Sequence, residues 1–116
     1  MKYVLIVLLL AVGLEVPAQK RAEATIRVDG VCGMCKNRIE KALDVPGVLV
    51  AEWDKNTKLL YIVYRPAKIS EDSIHMLING VGHDTEKSKA PDDVYQRLAD
   101  CCHYRDENNV HKRKNR

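Results

Sequence analysis

The chain has 116 residues, a formal net charge of +3 and four cysteines. This length allows one compact domain, and the mixture of apolar and charged residues predicts a globular fold. Much of the positive excess lies in residues 111–116, and basic and aromatic residues are not interleaved across a face, which argues against a nucleic-acid-binding protein. We therefore expect residues 106–116 to form a disordered basic tail that binds no nucleic acid.

The N-terminus predicts export. Lys2 precedes an apolar run over residues 3–14, which is short for a membrane span but typical of a secretory signal peptide. Val16-Pro17-Ala18 then offers small residues to a signal peptidase, so we expect a signal peptide over residues 1–18. The expected location is the periplasm or the exterior, with no stable membrane association after cleavage. An uncleaved membrane anchor is the alternative.

The next segment predicts a strand followed by a helix. Ile26 and Val28 alternate with polar residues, which is typical of a half-buried strand. Residues 36–43 then carry apolar side chains at helical spacing, and Cys35 lies one turn before Ile39. Pro46-Gly47 is expected to end this helix.

A hairpin and a second helix are predicted next. Residues 48–53 and 59–64 are extended runs on either side of a polar turn, and the second run is apolar on both faces, which indicates a central strand. Ser70 is expected to cap the second helix. Its apolar stripe consists of Ile74, Leu77, Ile78 and Val81. Residues 83–87 are short and polar, which favours a fourth strand at the sheet edge.

These elements predict an α+β protein with a ferredoxin-like βαββαβ sandwich over residues 22–88. Pro91-Asp92-Asp93 then predicts a further helix, which leads into Cys101-Cys102-His103. Residues 89–105 therefore form a C-terminal helical extension in this interpretation.

Cys32 and Cys35 are separated by two residues at a strand-to-helix turn, so both sulfur atoms can face one point. The positive end of the helix favours thiolates there. Thiolates select soft ions, above all Cu(I), with Zn(II) and other thiophilic ions as competitors. A second Cys-x-x-Cys motif is missing, which argues against a closed four-cysteine zinc site.

The sequence resembles heavy-metal-associated domains. Residues 26–36 and 39–43 are similar to the metal loop and first helix of that family, and Pro46-Gly47-Val48 and Gly80-Val81-Gly82-His83 continue the resemblance through Lys87. The family comprises copper chaperones, N-terminal domains of metal-transporting P-type ATPases and a periplasmic mercury-binding protein. The resemblance implies a carrier of Cu(I), with Zn(II) or Hg(II) as alternatives, whose partner is a metal-transporting ATPase or an efflux protein.

Four further residues are candidate ligands. In the resembling fold, the loop of His83 returns beside the metal loop. Cys101, Cys102 and His103 follow a helix long enough to carry them back toward Cys32. They are expected to add ligands to the same ion or to form a second site. Disulfides, free thiols and a surface position for His83 are the alternatives, and His75 and His111 have no distinctive spacing.

A non-catalytic metal-binding protein is therefore the leading interpretation. One rival is a small thiol–disulfide oxidoreductase that uses Cys32 and Cys35, and another is a structural module of the cell envelope with four bridged cysteines. The order of the predicted elements is unlike that of thioredoxin, which favours the metal carrier.

Overall fold

The structure, a computed structural model, describes residues 20–113, so the expected signal peptide lies outside the described residues. Three strands form an antiparallel sheet: β1 (Ala22–Arg27), β2 (Val48–Trp53) and β3 (Leu59–Tyr64). Their order is β1-β3-β2, so the prediction that the third run is central is confirmed. Over residues 20–113, no helix has the length and apolar character that a membrane span requires.

Two helices of ten residues follow β1 and β3, as the sequence pattern predicts. They are α1 (Gly33–Ala42) and α2 (Glu71–Gly80). Ser70 begins α2 as expected, because its hydroxyl accepts a 3.1 Å hydrogen bond from the Ser73 amide. The inner sheet face and the helices share one core, in which each fully buried aliphatic side chain contributes about 1.5–3 kcal/mol. The core includes Ile26, Ile39, Leu60, Ile62, Ile74 and Ile78.

The expected fourth strand is reduced to one bridge, between Val28 and Thr85, so a strand over residues 83–87 was wrong in its extent. The reason is a local turn. The Thr85 hydroxyl accepts hydrogen bonds from the amides of Lys87 and Ser88, both at 3.2 Å, and the Thr85 amide donates to the Ser88 carbonyl. These bonds use groups that a longer ladder would need.

In the structure the C-terminal extension runs over residues 89–113 and contains α3 (Asp92–Gln96), a 3₁₀ turn (Asp100–Cys102) and α4 (Val110–Arg113). Residues 106–113, which the sequence predicts to be disordered, therefore lie in turns and a short helix. Asn109 is 5% exposed in this region. Its side-chain amide donates to three carbonyl oxygens, those of Asp100, Cys101 and His103.

Arg105 and Tyr104 fasten the extension to the sandwich. Arg105 donates to both carboxylate oxygens of Asp84, at 2.7 and 3.0 Å, and its guanidinium lies 4.2 Å from the centre of the Tyr95 ring. The Tyr104 hydroxyl donates to the Gly82 carbonyl at 2.6 Å and accepts from the Asp84 amide at 2.9 Å. We call this set of contacts the Arg105 clamp.

Candidate metal centre

Residues 30–35, which join β1 to the first turn of α1, are called the metal loop, and they are held against Trp53. The Trp53 indole N–H donates to the Val28 carbonyl at 2.9 Å. Gly30 lies so close to the indole that a Cβ atom there would be 2.9 Å from two ring carbons and 3.1 Å from the Cβ of Cys35. A side chain at residue 30 would therefore push the ring and the loop apart.

The first two cysteines lie at the start of α1. Cys32 is extended and precedes the first helical residue, and Cys35 lies in the first turn. Their sulfur atoms are 3.5 Å apart. Since the unpaired amides of a helix N-terminus face this point, the backbone itself favours negative charge on the sulfurs.

Cys102 supplies a third sulfur atom. Its Sγ lies 3.6 Å from the Sγ of Cys32, and the three sulfurs of Cys32, Cys35 and Cys102 all lie within 4.8 Å of one another. Cys35 and Cys102 are fully buried and Cys32 is 8% exposed. The Arg105 clamp keeps the extension, and with it Cys102, against the metal loop.

The two cysteines of the motif differ in acidity. Partial burial raises the pKa of Cys32, but the amide of Cys35, the thiols of Cys35 and Cys102 and the amide of Met34 together outweigh it, so this pKa lies below its ordinary value. Burial raises the pKa of Cys35 to about 12. Cys32 is therefore the more acidic of the two thiols, whereas Cys35 must lose a proton to bind an ion.

The spacing of the sulfurs fits a soft ion with three or four ligands. Metal–sulfur bonds of about 2.3 Å place two sulfurs about 3.8–4.0 Å apart in a tetrahedral or trigonal site and about 4.6 Å apart in a linear one. The observed separations of 3.5 and 3.6 Å are close to the first value. The donor set, three sulfurs without a carboxylate, suits Cu(I), Zn(II) or a similar thiophilic ion.

Two predicted ligands are not brought to this cluster. His83 is fully buried and its Nδ1 donates to the Asp29 carbonyl at 2.7 Å, while its Nε2 faces the Arg38 guanidinium at 3.4 Å. Burial lowers the pKa of His83 to about 4, so the ring is neutral. It therefore supports the metal loop through the Asp29 carbonyl.

The ring of His103 lies against Tyr95, with 5.0 Å between ring centres, and its Nδ1 is 3.9 Å from a carboxylate oxygen of Asp100. Within residues 20–113, neither His103 nor His83 belongs to a group of three close ligand atoms.

The structure adds one candidate ligand, His111, that the sequence pattern does not predict. His111, Cys101 and Cys32 bring one ligand atom each within 4.8 Å of one another. The Sγ of Cys101 also lies 3.8 Å from the Met34 sulfur and 3.9 Å from the Sγ of Cys102. A signal was available, since His111 is a second histidine shortly after a Cys-Cys-His segment, but it lay in a region expected to be disordered.

No protein-family model matches the sequence, and no curated protein matches it. Solved structures do. The CopZ metallochaperone is 26% identical with a TM-score of 0.53, and the match covers 55% of this chain and 98% of that one. The N-terminal soluble domains of Bacillus subtilis CopA are 30% identical, with a TM-score of 0.54 and coverage of 59% and 48%.

A copper binding domain from HMA7, a P-type ATPase, is 29% identical with a TM-score of 0.54, and the match covers 58% of this chain and 92% of that one. The described fold, the Cys32–Cys35 motif at the start of α1 and these similarities all point to one class of domain.

Proposed function

The chain belongs to the heavy-metal-associated domain family, and from that premise we propose that it is an exported carrier of a soft metal ion. The observation that carries the proposal is the sulfur cluster. Cys32, Cys35 and Cys102 place three sulfur atoms within 4.8 Å of one another at a helix N-terminus. Sulfur ligands of this kind bind thiophilic ions, whereas Mg²⁺ and Ca²⁺ require oxygen ligands.

Cu(I) is the cargo that we propose. It is soft, it accepts two or three thiolates, and the similar solved structures include a copper binding domain. Three sulfur ligands leave a Cu(I) ion open to a further thiolate from a partner. Transfer then proceeds by ligand exchange: a partner thiolate bonds to the ion as one protein thiolate leaves it, and the released thiolate takes up a proton. Zn(II) and Hg(II) are the competing ions.

The proposed partner is a metal-transporting ATPase or an efflux protein that offers its own thiolates. Similar solved structures include N-terminal domains of CopA, which supports an exchange between two domains of the same type. The net charge of +3 favours an acidic docking surface, with an attraction that salt weakens.

Export is proposed from the sequence of residues 1–18 alone, and the proposed location is the periplasm or the exterior. N-terminal sequencing of the chain recovered from cell fractions tests it. An exported protein that begins at Gln19 is expected, and a chain that keeps Met1 in the cytoplasmic fraction would contradict export.

A Cu(I) titration tests the metal function. The reduced chain from Gln19 onward is titrated without oxygen against a Cu(I) chelator, beside Cys32→Ser and Cys35→Ser. Each serine variant is expected to bind Cu(I) more than about 100-fold more weakly, because the loss of groups that merely support a ligand already costs about 10–100-fold. Met76→Leu, which removes an exposed sulfur on α2, is the control. A wild-type affinity in Cys32→Ser would refute the proposal.

One observation favours a second candidate, a thiol–disulfide oxidoreductase. The pKa of Cys32 is lowered and that of Cys35 is raised, and their sulfurs are 3.5 Å apart. In this chemistry the Cys32 thiolate attacks a substrate disulfide and releases one substrate thiolate, and Cys35 then displaces the other to form the Cys32–Cys35 disulfide. Catalytic turnover of a disulfide substrate, together with a reduction potential lower than that of the substrate, would favour the enzyme over the carrier.

A further inference from the structure

We propose that Cys32, Cys101 and His111 form a second soft-metal subsite, which shares Cys32 with the buried cluster of Cys32, Cys35 and Cys102. This inference rests on the proposed metal function and deepens it. It makes the C-terminal extension the point at which the ion enters and leaves, because the second subsite lies on the outer side of the shared cysteine.

The donor atoms of the second subsite are already gathered. One ligand atom each from Cys32, Cys101 and His111 lies within 4.8 Å of the others. The Met34 sulfur lies 3.8 Å from the Sγ of Cys101, so a thioether is close to the same point. Two thiols, an imidazole and a neighbouring thioether form a donor set that suits Cu(I).

The position of His111 is fixed by Asn109. The Asn109 side-chain carbonyl accepts a 2.9 Å hydrogen bond from the His111 amide, as an N-cap side chain does, and its amide group donates to the Cys101 carbonyl at 3.1 Å. One buried side chain therefore ties the start of α4 to the turn that carries Cys101. This arrangement places His111 close to Cys101, although the two are ten residues apart in the sequence.

The ligands of the two subsites differ in their exposure to solvent. Cys35 and Cys102 are fully buried, and Cys32 is 8% exposed. Cys101 and His111 are half-buried and therefore accessible to an ion or to a partner. An ion that reached the buried cluster directly would have to displace the packing around two fully buried sulfurs. An ion that first bonds to the outer ligands needs no such opening.

The transfer between subsites is a ligand exchange around Cys32. The bond between the ion and Cys32 remains while Cys101 and His111 leave the ion and Cys35 and Cys102 replace them. Two thiols lose a proton and one thiolate regains a proton, so one proton passes to solvent. No electron is transferred and the ion keeps its oxidation state.

The test uses Cu(I) alone as the probe and the reduced chain from Gln19 onward. A Cys35→Ser, Cys102→Ser double variant removes the buried cluster and leaves the second subsite intact. We expect native mass spectrometry to detect one bound Cu(I) in this variant. Adding His111→Ala should weaken that binding at least about tenfold, whereas adding Lys112→Ala, which removes a neighbouring side chain of the same helical turn, should not.

A kinetic measurement covers the case in which the double variant does not fold. In the otherwise unchanged chain, His111→Ala should slow the release of Cu(I) to a chelator at least about fivefold, with the equilibrium affinity within about twofold of wild type, since only the exit ligands are removed. Lys112→Ala should match wild type in both.

Two results would overturn the second subsite: a folded double variant that binds no Cu(I), or equal release rates in His111→Ala and Lys112→Ala. The proposed metal function fails by a different result, a wild-type chain that binds no Cu(I) at all.

Discussion

The two parts of the chain that supply the sulfur cluster, the metal loop and the extension, are held in place by different contacts. The metal loop, residues 30–35, is positioned by its immediate surroundings: the strand before it, the helix after it and the Trp53 ring beneath Gly30. Cys102 is positioned by contacts far from it along the chain, because Arg105 bonds to Asp84 and Tyr104 bonds to Gly82. The metal loop packs within the sandwich that carries it, whereas the extension is attached to the sandwich by side-chain hydrogen bonds and an ion pair.

This difference indicates what each part contributes. A Cys-x-x-Cys loop at a helix N-terminus supplies a complete pair of ligands without the extension. The extension adds a third sulfur, burial and an outer pair of ligands. Binding would therefore persist without the extension, but it would become weaker and more exposed. Four predictions test this division, from the largest expected effect to the smallest.

Arg105→Ala should separate the two parts. In the wild type, the Arg105 guanidinium makes two hydrogen bonds to the Asp84 carboxylate, and the Asp84 side chain is 8% exposed. The variant therefore leaves an almost buried charge without its partner. Breaking a buried pair costs about 3–5 kcal/mol, and because Arg105 is partly exposed we expect about 3 kcal/mol, measured by urea unfolding of the apo protein.

The control is Arg97→Ala, which breaks the exposed pair with Asp93 and should change stability by less than about 0.5 kcal/mol. The sharper readout is the metal affinity. Cys102→Ser should weaken Cu(I) binding in the wild-type background and have no effect in the Arg105→Ala background. An equal effect of Cys102→Ser in both backgrounds would show that the clamp does not position the third sulfur.

Metal affinity should rise with pH, because Cys35 is protonated at neutral pH. Burial raises the pKa of this thiol to about 12, so binding must release its proton. For one released proton the affinity rises about tenfold per pH unit, or about 100-fold (about 2.7 kcal/mol) between about pH 6 and pH 8.

Chelator competition at several pH values measures this slope, and calorimetry in buffers of different ionisation enthalpy counts the protons directly. Cys35→Ser should lose about one proton from the slope. Cys102→Ser should likewise lose about one proton from the slope, because in the proposed transfer this thiol also joins the ion as a thiolate. A slope that is unchanged in Cys35→Ser would mean that this thiol is not a ligand.

Gly30→Ala should disturb the metal loop but not the extension. The added Cβ would lie 2.9 Å from two carbons of the Trp53 ring, and overpacking of this kind costs about 1–3 kcal/mol. We expect a loss of about 2 kcal/mol in thermal or urea unfolding and weaker Cu(I) binding. Gly33→Ala meets no atom within 4 Å and should be close to neutral in stability. Equal stability of the two variants would mean that the loop does not depend on the approach of the ring.

The same division explains what could be predicted from the sequence. The ferredoxin-like order, the central strand and the cap at Ser70 follow from periodicity and end signals, which are local. The shortened fourth strand was not predictable in this way, since it depends on the turn that Thr85 and Ser88 form. The position of His111 was not predictable because it depends on the hydrogen bonds that Asn109 makes to the His111 amide and to the Cys101 carbonyl.

His83 connects the two parts, and its titration gives the last prediction. Its Nδ1 donates to the Asp29 carbonyl of the loop region, and its ring stacks on Tyr104 of the extension with 5.3 Å between centres. Burial, opposed by the bond to Asp29 and reinforced by Arg38, lowers its pKa from 6.5 to about 4. The charged groups that face it are Arg38 and Asp84.

The direction of the pH effect follows from the difference between the pKa values of His83 in the folded and the unfolded chain. Between pH 6.5 and about 4, the unfolded chain protonates residue 83 and the folded chain does not. The stabilisation by neutral His83 is therefore complete above pH 6.5 and declines as the pH falls toward 4, with a loss of about 2 kcal/mol between about pH 7.5 and pH 5. Asp84 also has a lowered pKa, because its bonds to Arg105, Ala90 and Tyr104 outweigh its burial, but its contribution is lost only below its ordinary value of 3.8.

Urea unfolding of the metal-free chain at several pH values measures this loss. His83→Gln should remove the difference of about 2 kcal/mol, since glutamine does not titrate. If the free energy of unfolding of His83→Gln declines with falling pH as it does in wild type, another group takes up the proton. His83 would then not be the buried neutral ring that links the loop region to the extension. If the decline disappears, acid weakens both parts of the site through one side chain.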